Sequence, residues 1–318
     1  MHFKNLFIAL LTGIILCCIN SCSCTSLENL FSSSSLSVNK PITAQPEERT
    51  VNFNIKQKIY SNPGTRKIKL TVILPINVTN RQEVLSIQFN PKPYSIYEKN
   101  GNRYAYYEIQ NPSSYLEINI DSKLKLYNYS LQRAIKAPVK DRSGYFNKQY
   151  LFPEKYIESD HKDIQSVAQK LKTSDELKTI ENIYNYVTQK MTYSGYNPMD
   201  AGALEAIRTG KGDCSEYTDL MVALARAAGI PARQAYGITT EVTNTPKHAW
   251  PEVYTEKYGW APFDPTTGDA GDNEFDTMKT MYIYLSYLRT DQELNNFFYM
   301  CYFYEGSQIR VIDEYKTW

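Results

Sequence analysis

The chain lacks an excess of charge. Its 318 residues carry 35 basic and 34 acidic side chains, a net charge of +1. No long basic run breaks that balance, so nothing would draw in a polyanion, and nucleic acid is excluded as a partner. Histidine is scarce, with three in the whole sequence. Cysteine is scarce where it would matter for structure. Of six, Cys17, Cys18, Cys22 and Cys24 crowd the N-terminus, leaving Cys214 and Cys301 for the body. Two body cysteines do not make a disulfide framework, and no CxxC pair stands beside a histidine there, which argues against zinc. No Asp-x-Asp-x-Asp-Gly loop is present. Asp269, Asp272, Glu274 and Asp276 form a loose acidic cluster that reads as a solvated loop rather than a calcium site. No metal or other cofactor is expected. Long apolar runs are missing as well: Leu6–Leu16 is about a dozen residues, too short to span a bilayer comfortably.

What that short run does suggest is an address. Lys4 precedes it, as in a secretory signal, and it ends in Ile19-Asn20-Ser21-Cys22. An aliphatic residue three places before a cysteine, with a small residue just before it, resembles a bacterial lipobox. The resemblance implies cleavage before Cys22, acylation of its thiol and a membrane as partner through that anchor. Cys24 fits less well, with Ser21 at the same offset, and an ordinary cleaved signal is the bland alternative. Residues 1–21 thus read as a lipoprotein signal and residues 22–50 as a tether. The tether holds Ser32-Ser33-Ser34-Ser35, Pro41 and Pro46 and no apolar periodicity. The chain is expected to be exported and held on a bacterial envelope.

The length suits two domains. Over residues 51–148 the pattern alternates as strands do, at Val51–Ile55, Ile68–Val72, Val84–Phe89 and Leu116–Ile120, continuing to Leu126. Lys99-Asn100-Gly101-Asn102 is a turn between tyrosine-rich runs. Short strands so spaced predict a β-sandwich. The region holds neither cysteine nor histidine, which favours a structural or docking role. From residue 149 the period changes to that of helices. Thr173 with Glu176 offers a capping box for a helix carrying Leu177, Ile180, Ile183, Tyr184, Val187 and Met191 on one face. A second helix opens near Cys214 and stops at Gly229 and Pro231. Gln234–Ile238, a hairpin from His248 to Asp264, and tail strands at Tyr282–Leu285 and Phe298–Tyr302 follow. An all-β half before helices and a sheet is α+β, and the second domain is assigned residues 149–318.

Cys214 follows Gly210-Lys211-Gly212-Asp213 and opens a helix. The glycines let the backbone turn tightly. Unpaired N–H groups at a helix start favour a thiolate and can receive an oxyanion. Taken alone, such a cysteine reads equally as buried and inert, or as disulfide-bonded to Cys301. Histidine shifts the balance. His2 lies in the signal and His161 in a charged run, Asp160-His161-Lys162-Asp163, but His248 begins a strand among apolar neighbours. There a general base can be held rigidly, and Asp264, in the partner strand, can orient it. Register decides whether the two meet. With Thr255-Glu256-Lys257 as the loop, His248 falls opposite Asp264 on one face. A four-residue loop, Glu256–Gly259, puts Asp264 opposite Pro251 on the other face, unless Pro251 marks a bulge. The facing arrangement is expected.

These stretches resemble the transglutaminase-like superfamily, which shares the papain-like fold. The matching segments are Gly212–Tyr217, Leu224–Arg233, His248–Tyr254 and Gly259–Thr266. The resemblance covers roughly residues 150–270. It implies Cys214 as nucleophile, His248 as base and Asp264 as orienter, and the β-rich half looks like the sandwich that often precedes this domain in bacterial members. Arg226, Arg233, Trp250 and Trp260 are expected to brace the site. The reaction implied is acyl transfer through a thioester on a protein or peptide substrate. Water as acceptor gives a peptidase or amidase, and a lysine amine gives a transglutaminase. A reading of another class is a non-enzymatic envelope scaffold or adhesin that retains the fold. Oligomeric state leaves no mark on the sequence.

Overall fold

A computed structural model describes residues 48–134, 148–196, 200–241, 247–269 and 274–318. The lipidation candidate Cys22, the signal and most of the tether lie outside these residues, as does Asp272. No helix among the described residues is long and apolar enough to cross a membrane.

The first half folds as its alternation predicts. The strands are β1 (Glu48–Ser61), β2 (Lys67–Leu74), β3 (Gln82–Asn90), β4 (Ser95–Lys99), β5 (Asn102–Gln110) and β6 (Tyr115–Tyr127). Asn100 and Gly101, both at positive φ, form the two-residue turn that joins β4 to β5. Alternate residues of β1, Phe53, Ile55 and Ile59 among them, point into one core with Ile68, Leu70 and Val72 of β2 and Ile118, Ile120 and Leu124 of β6. Each such side chain contributes about 1.5–3 kcal/mol by leaving water.

The sandwich is finished by the far end of the chain. After the short β7 (Tyr129–Ser130) the remaining strands are β8 (Thr192–Tyr193), β9 (Lys211–Gly212), β10 (Ala232–Thr239), β11 (Lys247–Thr255), β12 (Gly259–Pro262), β13 (Thr277–Met278), β14 (Tyr282–Ser286), β15 (Met300–Glu305) and β16 (Ile309–Thr317). The two sandwich sheets run β16-β1-β6-β3 and β15-β2-β5-β4. The tail strands β15 and β16, grouped by sequence with residues 149–318, therefore pair with the N-terminal sheets. Phe53 to Ser61 of β1 would otherwise present an open edge, and β16 covers it residue for residue.

The second layer is helical. Its elements are α1 (Leu131–Ala134), α2 (Lys162–Leu171), α3 (Glu176–Lys190), α4 (Gly202–Thr209), α5 (Cys214–Ala227) and α6 (Pro265–Asp269). α3 begins at a cap other than the expected one. Asp175 takes the N-cap and accepts from Lys178 N at 2.9 Å. Thr173, two residues before that N-cap, instead bonds the Asp175 backbone. α5 is buried along nearly its whole length. It lies against a third sheet of order β12-β11-β10-β14. Ile238, Ile283 and Leu285 of that sheet join the sandwich core, while Trp250 and Val253 join the helical one. The sheet is thus covered on both faces, which holds its strands rigidly.

Candidate active site

α5 starts at the nucleophile candidate because the residues before it form a closed cap. Asp213 accepts from Ser215 N at 2.8 Å and from the Glu216 backbone, while Glu216 Oε2 accepts from Asp213 N at 3.0 Å. Glu216 Oε1 accepts in turn from Ala201 N at 3.1 Å, so burial, which raises the carboxyl's pKa, is met by two backbone donors. Gly212 owes its identity to this return of Glu216. A Cβ there would stand 2.3 Å from the Glu216 Cβ. The cap occupies the N–H groups of Ser215 and Glu216, which leaves Cys214's own N–H at the helix end. The cap carboxylate also offsets part of the positive end of the helix. The charge available to a thiolate must come from elsewhere.

It comes from β11. Cys214 is a free, partly exposed thiol that acts on the His248 ring and favours its charged form. His248 Nε2 lies 2.7 Å from Asp264 Oδ2, leaving Nδ1 for the cysteine. Burial works against an imidazolium at His248. The Asp264 charge and hydrogen bond, and then the Cys214 contact, overcome it and push the ring up to about 10. Burial likewise opposes an ionised Asp264, yet the His248 charge and its donors hold the carboxyl below its ordinary value.

The register that joins the pair differs from both sequence-based alternatives. Thr255 pairs with Gly259, so the loop is Glu256-Lys257-Tyr258, and Thr255 Oγ1 accepts from Tyr258 N at 2.9 Å to close it. Phe263 N donates to Pro251 O at 2.9 Å, which carries the ladder past the end of β12. Asp264 thereby falls opposite Trp250, two residues from the expected partner, diagonal to His248 but on the same face, because side chains alternate with a period of two. Pro251 marks no bulge in this pairing. The irregularity in this sheet lies between β10 and β14, at Tyr236/Gly237.

Asp264 has every lone pair engaged. Oδ1 accepts from Thr266 N and Thr267 N, each at 3.1 Å, as the N-cap of α6. Oδ2 accepts from His248 and from the Tyr282 hydroxyl at 2.7 Å. Tyr184 Oη donates to the Asp264 carbonyl at 3.4 Å. Neither tyrosine was legible in the sequence as part of the site. Tyr282 stands in a tail strand with no motif around it.

The four bracing candidates sit where bracing is needed. Trp250 is fully buried, with its ring centroid 5.9 Å from that of His248. Arg233 bonds Glu252 Oε2 at 2.7 and 2.9 Å and lies between Trp260 and Tyr287, 4.1 and 3.6 Å from their centroids. Arg226 ties α5 to Ala232 O and Phe152 O at 2.8 and 2.7 Å. Cys301 is free and buried in the sandwich, its thiol directed at Glu293 O at 3.5 Å. Among the described residues no group of three or more His, Cys, Asp or Glu is placed to hold a metal ion.

Comparison with known proteins bears on this geometry. Residues 165–265 match the profile of the transglutaminase-like superfamily. An uncharacterised Bacillus subtilis (strain 168) protein, YebA, is 29% identical over 220 residues, which cover 60% of this chain and 29% of that protein. The chain thus spans under a third of that relative's length. Among solved structures, a candidate cysteine protease from Cytophaga hutchinsonii superposes with a TM-score of 0.56 at 19% identity, covering 84% of this chain and 92% of the other. The likeness shows a shared fold. The periplasmic domain of TgpA from Pseudomonas aeruginosa, at a TM-score of 0.39 and 14% identity over 73% of this chain and 96% of its own, is too distant to carry an argument. The stretch from α2 to the start of α6, with Cys214, His248 and Asp264 inside it, is thus a transglutaminase-like domain.

Proposed function

We propose that the chain is a cysteine-dependent acyl-transfer enzyme acting on amide bonds of proteins or peptides through a thioester on Cys214. The observation that carries the reading is the 2.7 Å bond from His248 Nε2 to Asp264 Oδ2, with the Cys214 thiol at the head of α5 acting on the same ring. His248 takes the thiol proton, and the sulfur attacks the carbonyl carbon of the amide. The oxyanion that forms is received by Cys214 N–H at the start of α5. As the C–N bond breaks, the imidazolium gives its proton to the departing amine or ammonia, leaving the thioester. Water or a second amine, deprotonated by the same imidazole, then takes the acyl group and frees the thiol. Asp264 is needed twice: it fixes which ring nitrogen faces the sulfur, and it supports the charge on the ring.

The test is turnover of a peptide library presenting glutamine amides and peptide bonds, with and without a lysine-analogue amine. Cys214→Ala should abolish every product, and the ratio of hydrolysis to amine incorporation then assigns the subtype. Unchanged turnover in Cys214→Ala would sink the reading. A membrane anchor on Cys22 is part of the proposal and rests on Ile19-Asn20-Ser21-Cys22 alone. Metabolic labelling with an alkyne fatty acid should mark the protein and fail in Cys22→Ala. Equal labelling of the two proteins would remove the anchor from the account.

A further inference from the structure

The Asp264 carboxylate oxygen that holds the imidazole does not belong to the imidazole alone. Tyr282 Oη donates to the same Oδ2 at 2.7 Å, the same distance as His248 Nε2. Tyr282 is buried, 4% exposed, and reaches the site from β14, on the opposite side of β10 from β11. It lies beyond residues 165–265, the stretch matched to the superfamily. Its ring is wedged 5.1 Å from that of Trp250 and 6.0 Å from that of His248, so the hydroxyl cannot swing away without disturbing the packing. A hydroxyl donating to a carboxylate disperses the negative charge that the neighbouring imidazolium feels, and charge-assisted bonds of this kind are among the stronger ones.

We infer that Tyr282 is a positioning residue for the triad: it holds Oδ2 toward His248 and moderates the grip of Asp264 on the imidazolium, so that the ring can release its proton to the leaving amine. The inference rests on the acyl-transfer reading. An imidazolium gripped too tightly makes a poor general acid, because proton transfer is most effective when the donor's pKa lies near the working pH. Asp264 raises the ring far above that range, and the Tyr282 bond, which lowers the carboxyl, works in the opposite direction. The titratable groups facing the pair include Cys214 from α5, Tyr282 from β14, Tyr184 from α3 and Tyr299, which meets the His248 backbone. Of these, Tyr282 touches the carboxylate itself, while Tyr184 reaches the Asp264 carbonyl.

Tyr282→Phe keeps the ring and removes the hydroxyl. Two quantities are measured: the His248 Cε1–H titration by NMR, and acylation of Cys214 by an activated ester and by an anilide of the same acyl group. The His248 midpoint should rise by about one pH unit. Anilide acylation at neutral pH should fall roughly tenfold relative to ester acylation, since the anilide's leaving group needs a proton from His248 and the activated ester's does not. A merely structural role would slow both substrates alike and leave the midpoint in place. In an Asp264→Asn background the added Tyr282→Phe change should move the midpoint no further, because Tyr282 acts through Asp264. An unchanged or lowered midpoint, or equal slowing of both substrates, overturns the inference. Failure of the wild-type protein to acylate at Cys214 at all would instead overturn the reading beneath it.

Discussion

Replacing Asp264 by Asn alters the proposed chemistry while sparing the fold around it. The Asn Oδ1 can still accept from Thr266 N and Thr267 N and cap α6. Its amide nitrogen then stands where Oδ2 met His248 Nε2 and the Tyr282 hydroxyl. An amide N–H donates, so Nε2 must be bare and the ring proton moves to Nδ1, facing Cys214. That is the wrong tautomer for accepting the thiol proton. The loss of charge also matters. Wild-type His248 is pushed up to about 10 from an ordinary 6.5, against the pull of burial. At ~1.36 kcal/mol per tenfold, that gap amounts to roughly 5 kcal/mol of preference for the imidazolium. Without the carboxylate, burial remains and the midpoint should fall to 6.5 or below. At pH 7.5 the protonated share of His248 would then drop from nearly all to about a tenth or less.

Histidine-selective NMR reads this directly, because the sequence has three histidines, assignable by single substitutions. The same shift sets a dependence of stability on pH. The His248 contribution is fully present below 6.5 and is lost as pH rises toward about 10, where the folded protein gives up the proton. Between pH 6 and pH 10 the wild type should therefore lose several kcal/mol more in denaturant melts than Asp264→Asn. A wild-type His248 titrating near 6.5, or an Asp264→Asn midpoint within half a pH unit of the wild type, would refute the electrostatic reasoning.

Four further substitutions have defined outcomes. Gly268→Ala would place a Cβ 1.9 Å from Tyr184 Oη and 2.8 Å from its Cζ, forcing α6 off α3; thermal melts should show a loss of about 1–3 kcal/mol, and Cys214 acylation should fall as Asp264 shifts. Arg289→Ala would leave Asp219 buried without the guanidinium that now bonds it at 2.9 and 3.0 Å, a loss of about 3–5 kcal/mol measurable by urea unfolding, with an unchanged midpoint counting against the pairing. Cys301→Ala, which changes a side chain of the sandwich core, should leave the rate of Cys214 labelling by iodoacetamide unaltered, whereas His248→Ala should slow it markedly.

The local elements of the site were readable because each depends on neighbours close in sequence. Asp213 and Glu216 flank Cys214 within one turn, and the cap they form starts α5 where the motif suggests. The hairpin was readable as to face but not as to pair. Loop length sets the pairing, and the bond from Tyr258 N to Thr255 Oγ1 that closes the loop is a side-chain contact within the turn that no composition signal marks. Facing survived because the register moved by two residues, and a two-residue shift returns each side chain to the same side of the sheet. The tail strands were legible as strands but not as partners. β16 pairs with β1 across more than two hundred residues of chain, and alternation identifies a half-buried strand without naming the sheet it joins. Tyr282 stayed hidden for the same reason. One tyrosine among 27 becomes part of the site only once β14 is laid beside β10.

The most direct measurement is intact and peptide-level mass spectrometry after brief exposure to an activated acyl ester, with quenching at low pH to preserve thioesters. The account predicts one acyl group on Cys214, none on Cys301, and loss of the adduct in both Cys214→Ala and His248→Ala. Acylation at equal rate in His248→Ala, or an adduct found on Cys301 and absent from Cys214, would contradict it.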